Sequence, residues 1–242
     1  MDSNTHIGLE RALRSWGDVR YAQAARAAKG GNAQEGSRSA VTGGKHLDGI
    51  DLLVREELKA AGGTSLEFRT GRGATVPGYY RPTKAWDLLV LQDGQPVLAV
   101  EYKSMKGSEG KNLNNRADEV FGVAEDLRQA EERKLLPRTM RRAYVFVMGM
   151  TDESTAAVGA PRVAAGEMDT VFTGASYFER AAIMCERMQE TGLYHFAWAV
   201  GIREDPFGWS EPRDAVNWEN FSRGLRGMFA GGKVKPLPPS RV

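Results

Sequence analysis

One cysteine, Cys185, and three scattered histidines, His6, His46 and His195, are all that the 242-residue sequence offers of the soft and borderline metal ligands. A lone cysteine excludes an intrachain disulfide and a thiolate zinc site, and histidines this sparse argue against a zinc hydrolase. No apolar stretch approaches the roughly 18 residues needed to span a bilayer. The opening Met-Asp-Ser-Asn-Thr-His lacks the basic-then-apolar order of a secretory signal, so a cytoplasmic location is expected. Charge of either sign is not in excess: 33 basic and 31 acidic side chains leave +2, which alone favours neither nucleic acid nor an acidic ligand. No internal repeat occurs. With 41% hydrophobic residues the chain can fill an ordinary core. Its chemistry should therefore rest on carboxylates and lysine.

Gly44-Lys45 invites a phosphate-loop interpretation, but Ser39 stands where glycine is required and His46 where a hydroxyl residue is. Nucleotide hydrolysis is not expected.

The periodicity predicts a helix from about Ile7 to Lys29, with Leu9, Leu13, Trp16 and Arg20 at helical spacing, then a Gly/Ser/Gln-rich loop from Gly30 to Gly44. A second helix is expected from Leu47 to Ala61 and a short strand from Ser65 to Arg69. The segment Thr70 to Lys84 reads as a long working loop with glycines, prolines, tyrosines and arginines. Trp86 to Gln92 and Pro96 to Lys103 are apolar strands around an Asp93-Gly94 turn signal. A helix from Asn114 to Leu135 and a strand from Ala143 to Gly149 follow. After an irregular Thr151 to Thr173 stretch come a helix Tyr177 to Glu190, a strand Tyr194 to Ile202 and a helix Trp218 to Phe229. Trp198, Trp209, Trp218, Phe221 and Phe229 read as core or dimer interface, and Cys185 as a buried small hydrophobe. The whole is expected to form a single domain over 1–242. Its parts are N-terminal helices with a contact loop (1–62), a catalytic core (63–150), a C-terminal helix-strand-helix part (151–232) and a loose tail (233–242).

Asp87 opens one apolar strand, and Glu101 and Lys103 close its neighbour. Period-two geometry puts Glu101 and Lys103 on one face. Two carboxylates at adjoining strand ends are hard oxygen ligands for magnesium, and a nearby lysine can hold the attacking water and stabilise phosphoryl charge. The register decides whether Asp87 joins them. A two-residue turn without a bulge would pair Asp87 with Val100 and point it to the opposite face. A three-residue loop, Gln92 to Gly94, or a bulge nearer the site, would bring Asp87 to the same face as Glu101. One of these two is therefore expected. Spacing alone also fits a solvated strand end with a surface ion pair.

The order helix, three strands, helix, strand resembles the PD-(D/E)xK nuclease core, with Trp86 in place of the leading proline. The resemblance extends along the chain. Arg38-Ser39-Ala40-Val41-Thr42-Gly43-Gly44-Lys45, the run Gly78 to Asp87, Glu101-Tyr102-Lys103-Ser104, Asn112-Leu113-Asn114-Asn115-Arg116 and Gly174-Ala175-Ser176-Tyr177 are similar to the XhoI family of type II restriction endonucleases. The segment Ser104 to Lys111 departs from it in carrying more charge.

This resemblance implies an α/β fold of the PD-(D/E)xK type: a helix, a three-strand antiparallel meander, a helix and a strand, with additional helices. It implies a homodimeric, magnesium-dependent enzyme that cuts both strands of double-stranded DNA at CTCGAG, after the first C, leaving 5′ overhangs. A cognate methyltransferase in the host would be expected. Asp87 and Glu101 would be metal ligands and Lys103 the catalytic lysine, with Glu57 of the preceding helix a further candidate ligand and Glu119 a lesser one. The DNA-contact candidates are Arg38, Ser39, Lys45, Arg81, Lys84, Ser104, Lys111, Asn114, Asn115 and Arg116, because arginine reads guanine and asparagine adenine, and basic loops meet phosphate. Helix capping also accounts for Asn114. Two other readings stay open: a structure-specific or repair nuclease, and a non-cleaving DNA-binding protein.

Overall fold

The computed structural model describes residues 3–29, 45–62, 65–138, 140–230 and 234. Arg38, Ser39, the Gly30–Gly44 loop and nearly all of the C-terminal tail lie outside them. Among the described residues no helix is long and apolar enough to cross a membrane.

The first helix, α1 (Ser3–Lys29), is followed by a 3-10 turn (Lys45–Leu47) and by α2 (Asp48–Gly62). Strand β1 (Leu66–Arg69) leads into a small two-stranded sheet, β2 (Thr75–Pro77) with β3 (Thr83–Ala85). Then come β4 (Leu88–Gln92), β5 (Gln95–Met105), α3 (Glu109–Glu132) and β6 (Arg141–Gly149). The C-terminal part holds the short α4 (Asp152–Thr155), α5 (Tyr177–Glu190), β7 (Phe196–Arg203), β8 (Gly208–Ser210) and α6 (Trp218–Met228). The main sheet is six-stranded in the order β1-β4-β5-β6-β7-β8. It is a mixed α/β arrangement: β1, β4 and β5 form an antiparallel meander, β5, β6 and β7 run parallel, and β8 returns antiparallel.

Alternation along the strands divides two cores. Leu89, Ala99, Tyr144, Phe146 and Ala199 face α3 and α5, where they meet Val120, Leu127, Ala181 and Cys185. Leu88, Val90, Leu98, Val100, Val145 and Trp198 face the other way, against Leu13 and Trp16 of α1, Ile50 and Val54 of α2, and Trp218 and Phe221 of α6. The sheet is thus covered on both faces, and each wholly buried aliphatic side chain contributes about 1.5–3 kcal/mol. Trp198, Trp218, Phe221 and Phe229 are core residues, and Cys185 is buried among apolar neighbours that push its thiol pKa up. Local signals set the helix starts. Ser176 and Glu179 form a reciprocal capping box at α5, and the Asn217 side chain accepts from the Asn220 N–H at α6.

Three sequence expectations need correction. The Thr70–Lys84 segment is not a plain loop, since β2 and β3 pair within it from Thr75↔Ala85 to Pro77↔Thr83. Helix α3 starts at Glu109, more than a turn before Asn114, so Asn114, Asn115 and Arg116 lie inside the helix rather than at its free N-terminus. The Gly107 N–H donates to the Glu109 carboxylate (2.8 Å), which anchors this earlier start. The β4–β5 connection is a tight turn and not a three-residue loop: Gln92 pairs with Gln95, and Asp93 and Gly94 both take positive φ (51° and 75°) as a type I′ turn requires. The expected alternative, a bulge nearer the site, is what forms. Leu91 faces Pro96 but Val90 faces Leu98, which leaves Val97 as the extra residue. Pro96 has no N–H for the ladder, so the irregularity falls where a bond could not form anyway.

Candidate active site

The bulge fixes the site. Beyond it Leu88 pairs with Val100, so Asp87, one residue before the strand, comes opposite Glu101. Without the extra Val97, every residue of β4 before the bulge would face the other side of β5. Asp87 follows the buried Trp86, whose N–H donates to the Ala74 carbonyl (3.0 Å) and ties this segment to the turn before β2. The Asp87 carboxylate accepts from the Tyr102 N–H (2.8 Å). Its pKa is raised, first by the loss of water around it and then by the negative charge of Glu101, against the pull of the Tyr102 N–H, Lys103 and Lys84. Glu101 is buried and carries an ammonium on each oxygen: Lys103 at Oε1 and, at 3.0 Å, Lys84 at Oε2.

Asp87 and Lys103 open into a groove of about 460 Å³. Arg20, His46, Ser104, Lys106 and Arg116 also line it. Arg20 of α1 is drawn into the protein, where burial lowers its pKa against the opposing charge of Glu204. His46 sits beside it, its Nε2 2.7 Å from the Ser104 hydroxyl. Burial, reinforced by the Arg20 charge, brings the His46 pKa down to about 4, so the ring is neutral at physiological pH. Its Nδ1 has no partner among the described residues. The groove lining therefore combines one member of the acid pair, Asp87, with cationic side chains from α1, the segment after β5, and α3, of which Lys106 is paired with Glu204 (2.7 Å). That composition suits a phosphate chain passing over the acids.

The acids fit a divalent metal. Two hard carboxylates lie side by side, Asp87 with its pKa raised by desolvation and then by Glu101, and a small divalent ion would relieve that repulsion. No cluster of three or more His, Cys, Asp or Glu residues forms among the described residues, so no third such side chain joins Asp87 and Glu101 there.

Several other expected site residues are occupied elsewhere. Glu57 is not in the cluster. It lies between α2 and α6, accepting from Ser222 Oγ (2.6 Å) and paired with Arg226, on the face of the sheet opposite Glu101. Glu119 pairs with Arg116 along α3 (2.5 Å). Arg81 is bound to the buried Asp126 of α3 (2.7 Å), which also accepts the N–H groups of Tyr79 and Tyr80 (2.7 Å each). Gly78 is obligatory at this clamp, because a Cβ there would come within 2.7 Å of the Arg81 carbonyl and 2.8 Å of Asp126 Oδ2. Lys84 belongs to the carboxylate cluster itself, and Ser104 to the groove wall. Lys45, Lys111, Asn114 and Asn115 are exposed, Lys45 on the turn before α2 and the other three in the first turns of α3. Arg20 and His46 were not among the expected site residues. The available signal was an arginine that continues the apolar stripe of α1, where a hydrophobic residue would otherwise be expected.

Paired acids and lysines at adjoining strand ends, beside a groove with basic side chains, are an arrangement suited to a phosphodiester. Residues 26–205 match the family described as restriction endonuclease XhoI, and the chain belongs to that family. It is 34% identical over 163 residues to the type II restriction enzyme XhoI of Xanthomonas vasicola, a match covering 64% of each protein. It is 48% identical over 85 residues to the type II restriction enzyme AbrI of Azospirillum brasilense, covering 34% of this chain and 38% of the relative. Against the type II restriction enzyme BstVI of Geobacillus stearothermophilus it is 36% identical over 163 residues, covering 63% of this chain and 71% of the relative. The chain thus spans less than two thirds of the length of the XhoI and AbrI relatives that it matches. No solved structure matches it.

Proposed function

We propose that this protein is a type II restriction endonuclease with a PD-(D/E)xK core, acting as one functional unit on double-stranded DNA in the cytoplasm. The observation that carries the proposal is the convergence of Asp87, Glu101 and Lys103 at adjoining strand ends beside a groove walled by Arg20, Lys106 and Arg116. Asp87 and Glu101 would hold magnesium. When bound, the ion supplies positive charge to the scissile phosphate and makes water a stronger acid.

The protein's own groups do the rest. The Tyr102 N–H orients the Asp87 carboxylate. Lys103 would hold the attacking water and offset charge that builds on the phosphoryl oxygens, with inversion at phosphorus from in-line attack. Arg20, Lys106 and Arg116 would bind neighbouring phosphates, which position the strand without reading it. Lys45, Lys111, Asn114 and Asn115 are exposed next in sequence to, or within two residues of, the groove-lining His46, Asn112 and Arg116, and are proposed base or backbone contacts, with Arg38 and Ser39 in the preceding loop. Arg81 would act through the clamp on Asp126.

The family relationship supports CTCGAG as the target, cut after the first C to leave 5′ overhangs, by a homodimer whose two-fold axis matches that of the site. A cognate methyltransferase would protect host DNA. Digestion of a fully sequenced plasmid in magnesium, with a chelator control and sequencing of every end, tests this. The expected ends fall only at CTCGAG and vanish with the chelator. Ends at a different palindrome would keep the reaction and change the target. Magnesium-dependent cutting of branched but not linear DNA would replace the proposal with a structure-specific nuclease, and specific binding without cutting would replace it with a binding protein.

A further inference from the structure

Glu101 is held twice. Lys103 reaches it from the same strand, and Lys84 reaches it from β3, 17 residues earlier. The second contact is well anchored. The Lys84 ammonium donates to the Ala85 carbonyl (2.5 Å), lies 5.3 Å from the centroid of the Trp86 ring, and its side chain is only 16% exposed. With Asp87 alongside, the cluster contains two carboxylates and two ammonium groups, so its formal charges cancel. A divalent cation approaching Glu101 must therefore face two positive groups at short range, in a part-buried setting that screens them poorly.

The two lysines are not equivalent. Lys103 shares the backbone of β5 with Glu101, whereas β3 pairs with β2 in the small sheet, outside the six-stranded one. Lys84 can leave Glu101 without disturbing the strand that carries the acid. Asp87 and Lys103 of the cluster line the groove and Lys84 shares Glu101 with Lys103, so a polyanion seated over Asp87 and Lys103 brings phosphate oxygens beside the cluster as alternative partners for the Lys84 ammonium.

We propose that Lys84 is a positioning residue that competes with a divalent cation for Glu101, holding the carboxylate until DNA phosphates draw its ammonium away. The inference rests on the metal-site reading of Asp87 and Glu101. It makes uptake of the ion conditional on bound DNA, which would limit metal loading of the idle enzyme. A merely structural lysine would do the opposite on removal: Glu101 would lose its orientation and bind the ion less well.

The sign of one measurement separates these. Manganese is titrated into the full-length protein without DNA and the free ion is read by electron paramagnetic resonance, for wild type, Lys84→Met, Lys84→Arg and Glu101→Gln. Thermal unfolding of each checks the fold. Lys84→Met should bind manganese at least about tenfold more tightly than wild type, a modest share of what one nearby unit charge exerts at such a site. Lys84→Arg should restore the weak wild-type affinity, and Glu101→Gln should remove the binding. Equal or weaker affinity in Lys84→Met, with Glu101→Gln still removing it, would overturn the role of Lys84 alone. Binding indifferent to Glu101→Gln would overturn the metal-site reading and this inference together.

Discussion

Asp87 is maintained at a cost to the fold. Its pKa is raised by desolvation and by Glu101, so the folded chain holds the Asp87 proton more tightly than the unfolded chain does. The stability linked to this group is fully present below the unfolded pKa and is lost as pH rises through the folded one. At pH 8 in chelator, Asp87→Asn should therefore unfold at a temperature no lower than wild type, while its cleavage in magnesium falls by roughly 10²-fold or more. A clearly lower midpoint for the variant would contradict the electrostatic account. The residues of this site were unevenly legible. Asp87, Glu101 and Lys103 could be named from their placement at the ends of apolar runs. Lys84 read as a DNA contact because nothing in the Thr70–Lys84 segment showed that β3 would carry it to Glu101 of the main sheet. Arg20 was counted in a helical stripe, and nothing local showed that α1 would bring it to the groove.

At the level of elements, the β4–β5 hairpin shows how one inserted residue brings two acids to one face. The Asp93-Gly94 turn favours the tight register, which alone would send Asp87 to the wrong face. The bulge at Val97 restores it, and Pro96 was the local sign that the ladder would be interrupted there. Helix α2 teaches the reverse lesson. Glu57 looked like a third ligand because it sits near the end of the helix before the sheet, yet its partners Ser222 and Arg226 come from α6, far along the chain. A buried carboxylate with such partners is a packing element. Glu57→Gln should thus lower the thermal midpoint, by about 1–3 kcal/mol of stability, and leave the magnesium dependence of cleavage unchanged. A shifted magnesium requirement at undiminished stability would return Glu57 to the site.

Across the whole molecule, the two-sided sheet explains both what was readable and a pH sensitivity. Helix and strand types followed from periodicity and from apolar runs, whereas the division into two cores emerged only in the fold. The β2–β3 hairpin and β8 were missed because strands of three residues carry too little pattern to stand out. Partial burial beside two arginines also keeps one histidine neutral. His195 accepts from the Arg142 N–H (3.0 Å), and burial together with the Arg142 and Arg141 charges lowers its pKa to about 3. The unfolded chain, with a pKa of about 6.5, takes up that proton first. Stability from this group is complete above pH 6.5 and declines as pH falls toward 3. The advantage of wild type over His195→Asn in urea unfolding should shrink between pH 7 and pH 5, and an unchanged difference would contradict the burial of a neutral ring.

The central claim is that Asp87, Glu101 and Lys103 cut DNA which the rest of the groove binds. Single-turnover cleavage of a CTCGAG duplex by Glu101→Gln and Lys103→Met, measured beside their equilibrium binding of the same duplex, tests it most directly. The account predicts that cleavage falls by at least about 10²-fold in each while both variants still bind the duplex specifically. Near-wild-type cleavage by either variant would contradict it.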